Sequence, residues 1–512
     1  MARIDVALCF DVEDYYHPPE VGSDTIIKEC ADALKAEGTR GNFFFIGVRA
    51  RLLKERGRAD VFEALKSHAV GLHSLTGEHP CLPEYCAGKD WWDGVAAARD
   101  HEARGCQMIR DAFGYDPCCL SQHAAYAAPH VFPVAREMGL PYVYGPPAAG
   151  PLYNLSWYCG ALNVPYAPMK NHPVAYFEPG DAVYSHPLVF ERAMKRLKAA
   201  VEVCLEQRQP YMTVFLCHPY HLRVVEFVDF FMHTSGLNVP PEQWASRPKP
   251  RLRTAAQMEL VWANMRTFVR YLVRHDAVNI VTVPALQAKY GYQPAEISRV
   301  ELFSAAQEVA ARHFEGLLPE VWEETPLRVP ASRRFSPAEY VVALVESILH
   351  YQQGGSLPAS TPRPEVLGPM ENPITTPEIF EIDWEGFVSL CGQCREFVAR
   401  HGHLPHDLGQ RGSRIGLGSF YRALAEAYSG ITPQAGTLSG VTKSGAPATV
   451  PLHYFPRVPE EAVLLGHAYQ DIIDQAMIDP ALDTSRLVHY GRLQAWTLKP
   501  AFTREELGTH GG

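Results

Sequence analysis

Three short runs carry the residues able to do chemistry. The first is Phe10-Asp11-Val12-Glu13-Asp14-Tyr15-Tyr16-His17-Pro18, which sets three carboxylates within four positions after an apolar stretch. Carboxylates grouped in this way are costly unless they bind a cation or move protons. Asp11 and Glu13 are two apart and share a face of a continuing strand, whereas Asp14 faces away. The second run is Gly71-Leu72-His73-Ser74-Leu75-Thr76-Gly77-Glu78-His79-Pro80. Two imidazoles there, with a carboxylate from the first run, make a donor set for a divalent metal. The third run is Thr213-Val214-Phe215-Leu216-Cys217-His218-Pro219-Tyr220-His221, in which His218 is a candidate general acid.

Each run follows a segment that reads as a strand. Residues 4–10, 42–46, 69–72, 141–144, 211–217 and 278–283 are strand-like, and Leu120 and its neighbours lead into the helical stretch that follows. Between them, 25–36, 93–113, 129–138, 190–206 and 257–275 are helical in pattern. Repeated strand–helix units predict a parallel sheet or barrel over residues 1–295. Active sites in such folds gather where the strands end at their carboxyl side, which is where all three runs lie. Two stretches, 145–180 and 219–250, read as elaborated loops on the same side.

Residues 296–334 read as a linker, and 335–512 as a helical domain with an internal repeat. Its two units, 335–358 and 382–405, pair Tyr340 with Phe387, Val341 with Val388, Ala343 with Leu390 and Gly355 with Gly402. Ser336 and Glu339 form a capping box with Pro337 at the first helical position, and a glycine followed by Leu-Pro ends each unit.

The order Phe-Asp-Val-Glu-Asp, Asn-Phe-Phe-Phe-Ile-Gly, Gly-Leu-His-Ser and Leu-Cys-His resembles the polysaccharide deacetylase (NodB-homology) family over about residues 4–290. The resemblance implies an α/β fold, a distorted (β/α) barrel of the polysaccharide deacetylase type, here with an appended α-helical repeat domain. It also implies amide hydrolysis at carbon–nitrogen bonds, with an N-acylated (acetamido) glycan or glycan precursor as substrate and a divalent metal, zinc or similar, as cofactor. Asp11 falls at the family's general base, Glu13 at the metal carboxylate, His73 at the first metal histidine and His218 at the leaving-group acid. The family's second metal histidine lies four residues after the first, where this chain has Gly77; His79, two residues on, is the candidate replacement. The family's arginine segment matches Ser121–Tyr126, with Gln122 at the arginine position, and Gln122, His123 and Tyr126 are placed as substrate-binding residues. Three readings stay open: a hydrolase with a rearranged metal site, a metal-free amide hydrolase, and a catalytically impaired barrel that binds carbohydrate or acts as a scaffold. The C-terminal units also resemble the pseudomurein-binding repeat over about residues 335–430, which implies polymer or protein contact through them. An inter-domain bundle or dimerisation unit is the alternative.

Composition excludes other classes. With 47 Lys+Arg against 57 Asp+Glu the net charge is −10, so no concentrated basic surface for nucleic acid is expected. No apolar run spans a bilayer and the first residues carry no signal peptide, so a cytoplasmic location is expected. Twelve cysteines, mostly within apolar runs, read as packed reduced thiols, and this includes the Cys391-Gly-Gln-Cys394 pair.

Overall fold

In β1 (Ile4–Val12) all nine residues are buried. A strand covered on both faces belongs inside a parallel sheet. Its alternate residues enter different cores. Ile4, Val6, Leu8, Phe10 and Val12 pack beneath the surrounding helices, while Ala7 and Cys9 pack on the opposite, inner face. Asp11 continues that inner row, so the pleat alone carries it inside. The computed structural model describes residues 3–77, 80–121, 123, 128–145, 155–165, 176–206, 209–226, 233–234, 237–238, 249–311, 334–375, 380–410, 413–431, 446–452 and 482–508.

The sheet around β1 is the α/β half-barrel expected from the sequence. β1 pairs in parallel with β2 (Asn42–Phe45) through its second half and with Val278–Val281 through its first half. β2, β3 (Ala69–Leu72), β4 (Leu120–Ser121) and β5 (Tyr142–Gly145) follow in order, all parallel. On the other side of β1 lie β9 (Tyr211–Cys217) and then β8 (Tyr176–Phe177). Beyond β5 the sheet continues through β7 (Ala161–Pro165), β6 (Ser156–Tyr158) and finally Lys499–Pro500, the last two pairings antiparallel. The carboxyl ends of β1, β3, β4 and β9 therefore share one rim. Between β1 and β9 the register slips, with Cys9 opposite Phe215 but Phe10 opposite Cys217. Leu216 is the extra residue, and its carbonyl accepts a hydrogen bond from the Tyr184 hydroxyl at 3.2 Å. Such a bulge turns the strand locally, here just before His218. At the far end of β1 the buried Asp5 is satisfied by Asn279 Nδ2 at 2.8 Å, Lys289 Nζ at 2.6 Å and the Tyr290 hydroxyl at 3.2 Å.

Three expectations need correction. The stretch 145–180 supplies β6, β7 and β8 to the sheet instead of forming only a loop. The first part of 296–334 is not linker: Glu296–Ser298 is a strand, Arg299–Ala311 is a helix, and Ile297, Leu302, Ala305, Ala306 and Val309 enter a second core. Residues 312–333 lie outside the described residues. The C-terminal region is not purely helical either, because short antiparallel pairs join Glu296–Ser298 to Ser360–Pro362 and Asp407–Gln410 to Ser413–Gly416. Pro337–Gly354 and Trp384–His401 are both 18-residue helices, N-capped by Ser336 and Asp383. Each ends on a left-handed glycine, Gly355 at φ 69° and Gly402 at φ 71°.

The chain then returns to the barrel. Leu487, Tyr490, Ala495 and Leu498 pack with the first core, so 335–512 is not one separate unit. Tyr158 donates to the Gly491 carbonyl at 2.9 Å, and the Cys159 N–H donates to Thr497 Oγ1 at 2.8 Å. Lys499 Nζ meets both Glu339 oxygens, at 2.7 and 2.9 Å, and Arg363 Nη1 lies 3.1 Å from Glu339. All twelve cysteines are free thiols, and all are buried except the half-buried Cys118. Burial pushes the Cys86, Cys106, Cys159, Cys204 and Cys394 thiols up to about 12, which leaves them unreactive packing groups. Among the described residues no helix is long and apolar enough to cross a membrane.

The Glu339–Lys499 pair is buried on both sides, so removing Lys499 leaves the buried carboxylate with Arg363 as its one remaining cationic partner among the described residues. Lys499→Met is expected to cost about 3–5 kcal/mol in a urea unfolding titration. The double change with Glu339→Gln should recover much of that loss, since Gln still serves the capping box. Equal losses for the single and double variants would show that the ion pair is not the source.

Candidate functional site

Glu13, just beyond β1, is the centre of the rim. Its Oε2 lies 3.1 Å from His123 Nε2 and 3.7 Å from His73 Nε2, and its Oε1 lies 3.2 Å from His218 Nε2. Asp11 Oδ2 is 3.5 Å from the same His73 nitrogen. The carboxylate is buried, which alone would raise its pKa. The charge of His218 and hydrogen bonds from His123 and His73 outweigh burial and hold it well below the usual range. The buried His73 ring is pushed down to about 4 by desolvation, so it is neutral at ordinary pH, the form that ligates metal.

Each of these side chains is aimed by its strand. His73 leaves β3, with its backbone N–H donating to the Phe45 carbonyl at 2.7 Å. Its Nδ1 lies 3.0 Å from Ser121 Oγ on β4, which leaves Nε2 toward Glu13. A second polar partner of this kind fixes the tautomer of a ligating histidine. Ser121 and His123 are two apart, the same alternation that sets Asp11 beside Glu13, so both point inward. His218 follows the bulged end of β9 and packs against Phe215, with ring centroids 4.9 Å apart.

One oxygen of Glu13 and one nitrogen each of His73 and His123 lie within 4.8 Å of one another. Ligand atoms around a tetrahedral ion with bonds near 2.1 Å are about 3.4 Å apart. The separations from Glu13, 3.1 and 3.7 Å, bracket that value, so this donor set fits a divalent cation. The third donor is thus His123, which the sequence placed with the substrate. His79 lies outside the described residues, as do Gln122 and Tyr126.

Gly77 explains the exchange. A Cβ built on Gly77 would lie 2.7 Å from His123 Cε1 and 3.0 Å from His123 Nε2. The His123 ring occupies the space that any side chain at position 77 would need. The glycine leaves room for a ring carried by another strand.

A second feature escaped the sequence. Asp14 turns away from the rim and is buried, with its Oδ1 2.9 Å from His17 Nδ1. Burial would raise this carboxyl, but the hydrogen bond and charge of His17, together with the Arg49 guanidinium, hold it below the usual range. Arg49 is itself buried, pairs with Asp24 at 2.8 Å, and lines one narrow gap with Asp11, Glu13 and Asp14. A buried cation therefore stands behind the carboxylates. Nothing near Arg49 in the sequence signals this, because its acidic partners come from other segments.

No family model and no curated protein matches the chain. Solved structures do align with it. A probable polysaccharide deacetylase from Pseudomonas aeruginosa PAO1 shares 13% identity, over 57% of this chain and 93% of that one, at a TM-score of 0.36. An allantoinase shares 13% over 57% and 93%, at 0.34. A CE4 family pseudoenzyme from Bacillus anthracis shares 14% over 42% and 55%, at 0.24. These similarities concern the fold and assign no chemistry. The resemblance of the C-terminal repeats to a polymer-binding module gains no support from these comparisons.

Gly77→Ala tests the steric argument directly. The added methyl should displace His123 and weaken zinc or cobalt binding by about tenfold or more, read by calorimetry. Affinity equal to that of the unmodified chain would show that His123 is not a ligand.

Proposed function

We propose that this chain is a divalent-metal hydrolase that cleaves the N-acyl bond of an acylated amino sugar. The observation that carries this reading is the convergence of Asp11, Glu13, His73, His123 and His218 on one rim, with Glu13 within 3.1–3.7 Å of three histidines. Glu13, His73 and His123 would hold the cation. Bound there, it supplies Lewis-acid polarisation of a carbonyl and easier ionisation of water. Asp11 sits at the edge of this donor set with Oδ2 toward His73, where it can take a proton from the attacking water. His218 is half-buried at the opposite side of Glu13 and can give a proton to the departing amine. Glu13 Oε1 orients the His218 ring, so one carboxylate serves the cation and the acid together. Tyr15 and Tyr16 stand next along the chain as a tilted ring pair 4.0 Å apart. Tyr16 donates to the Tyr15 hydroxyl at 2.7 Å, and the pair offers an aromatic face suited to a sugar ring.

A second reading is a barrel that binds glycan without cleaving it. It is favoured by the Glu13–His218 contact, which engages the acid internally at 3.2 Å.

Acetate release from N-acetylglucosamine oligomers separates the two. Zinc- or cobalt-loaded protein should release acetate, chelation should stop it, and added metal should restore it. Asp11→Asn should lower the rate by at least about 100-fold with an unchanged unfolding midpoint. Full rate in that variant would remove Asp11 as the base. Glycan binding without any acetate from the metal-loaded wild type would establish the second reading.

A further inference from the structure

Ser74, directly after His73, has φ 66°. Few residues other than glycine adopt this left-handed conformation, and they persist in it only where their surroundings impose it. Ser74 is buried, and its hydroxyl donates to Glu102 Oε1 at 2.9 Å. Glu102 lies on the helix Trp91–Phe113 and is 1% exposed. The same oxygen sits 2.8 Å from His101 Nδ1. A buried carboxylate with two polar partners on one oxygen is held tightly and does nothing in the chemistry above.

The surrounding packing shows what it holds. The carbonyls of Ser74 and Leu75 accept from the N–H groups of Gly47 and Val48, at 3.0 and 3.1 Å, at the start of the helix Gly47–Glu55. That helix and Trp91–Phe113 meet at two glycines: a Cβ on Gly47 would lie 2.9 Å from Gly105 Cα, and a Cβ on Gly105 would lie 3.2 Å from Leu75 Cα. The close approach brings Glu102 within reach of Ser74. Residues 73–75 are thus pinned by backbone bonds on one side and by the Glu102 carboxylate on the other. His73 is the first of them, and its ring is fixed at its far nitrogen by Ser121.

We propose that Glu102 is a positioning residue for the metal centre: through the Ser74 hydroxyl it holds the left-handed turn after β3 that aims His73 Nε2 at Glu13. The proposal rests on the metal reading of the rim. Its chemistry is that of an outer partner acting on the backbone of a ligand and not on its ring.

The test uses full-length protein and cobalt(II), whose visible absorption reports ligand geometry, with zinc affinity by calorimetry and unfolding midpoints alongside. Ser74→Ala and Glu102→Leu should each weaken metal binding by about 10–100-fold and alter the cobalt spectrum, since neither variant can make the hydrogen bond between positions 74 and 102. Ser74→Gly also lacks the hydroxyl, but glycine takes a positive φ without strain. It should therefore keep wild-type affinity within about threefold and a wild-type spectrum, an asymmetry that simple loss of packing does not produce. Unchanged affinity and spectrum in Ser74→Ala and Glu102→Leu, with or without lower unfolding midpoints, would overturn the positioning role alone. Equal losses in Ser74→Ala and Ser74→Gly would overturn the conformational argument. A wild-type chain that takes up neither metal would instead overturn the metal reading, and the role of Glu102 with it.

Discussion

The rim is organised around one buried anion, the Glu13 carboxylate. An ionised carboxylate taken out of water costs several kcal/mol unless it is paired. Here it faces three imidazoles carried by the ends of three other strands. Only a sheet whose strands run parallel can bring those ends to one rim, and β1 lies in its interior with partners on both sides. The bulge in β9, the short β4 and the turn after β3 are each local departures from a regular barrel, and each delivers one histidine. The opposite end of β1 makes the contrast clear. Asp5 is as deeply buried, but its partners are Asn279, Lys289 and Tyr290. Those partners already satisfy it, whereas Glu13 faces imidazoles that could share a cation with it.

The parts of this arrangement legible in sequence are those with local causes. The apolar run of β1 followed by acids placed Asp11 and Glu13, and the strand exits placed His73 and His218. The helices Pro337–Gly354 and Trp384–His401 were readable because caps are local, a Ser or Asp before each helix and a glycine after it. The place of His123 beside Glu13 was not legible, since it depends on the room left by Gly77, 46 positions away in the chain. Arg49 was invisible because its importance lies in its burial and in Asp14 and Asp24. The strands β6 and β7 were missed for a chemical reason. Their turn, Cys159-Gly160, has both central residues at positive φ, 47° and 79°. Hairpin turns of that kind usually announce themselves with Asn or Asp before the glycine, and cysteine gives no such signal.

The two cores are bound together by polar contacts as well as packing. Gln494 Oε1 accepts from the Gly368 N–H at 3.0 Å, and Glu339 at the start of one C-terminal helix closes on Lys499 of the sheet. Glu339 is buried, and the charge and hydrogen bond of Lys499 overcome desolvation to hold its carboxyl below the usual range. Through Glu339 the C-terminal region is coupled to the far edge of the sheet. Changes in that region should act on the barrel through its stability and leave the donor set in place.

The pairing of Lys499–Pro500 with β6 also has a meaning in time. The bond from Cys159 to Thr497 spans 338 positions, and a ribosome adding ~5–20 residues per second needs on the order of tens of seconds to cover them. Throughout that interval β6 is an open edge, with unpaired N–H and C=O groups ready to template another chain. The sheet is completed only by residues that follow β6 in the chain by more than 300 positions, as the 338-residue separation of Cys159 and Thr497 shows. Nascent chains stalled between the two events carry an exposed strand edge, a state prone to misassembly and in need of chaperone cover.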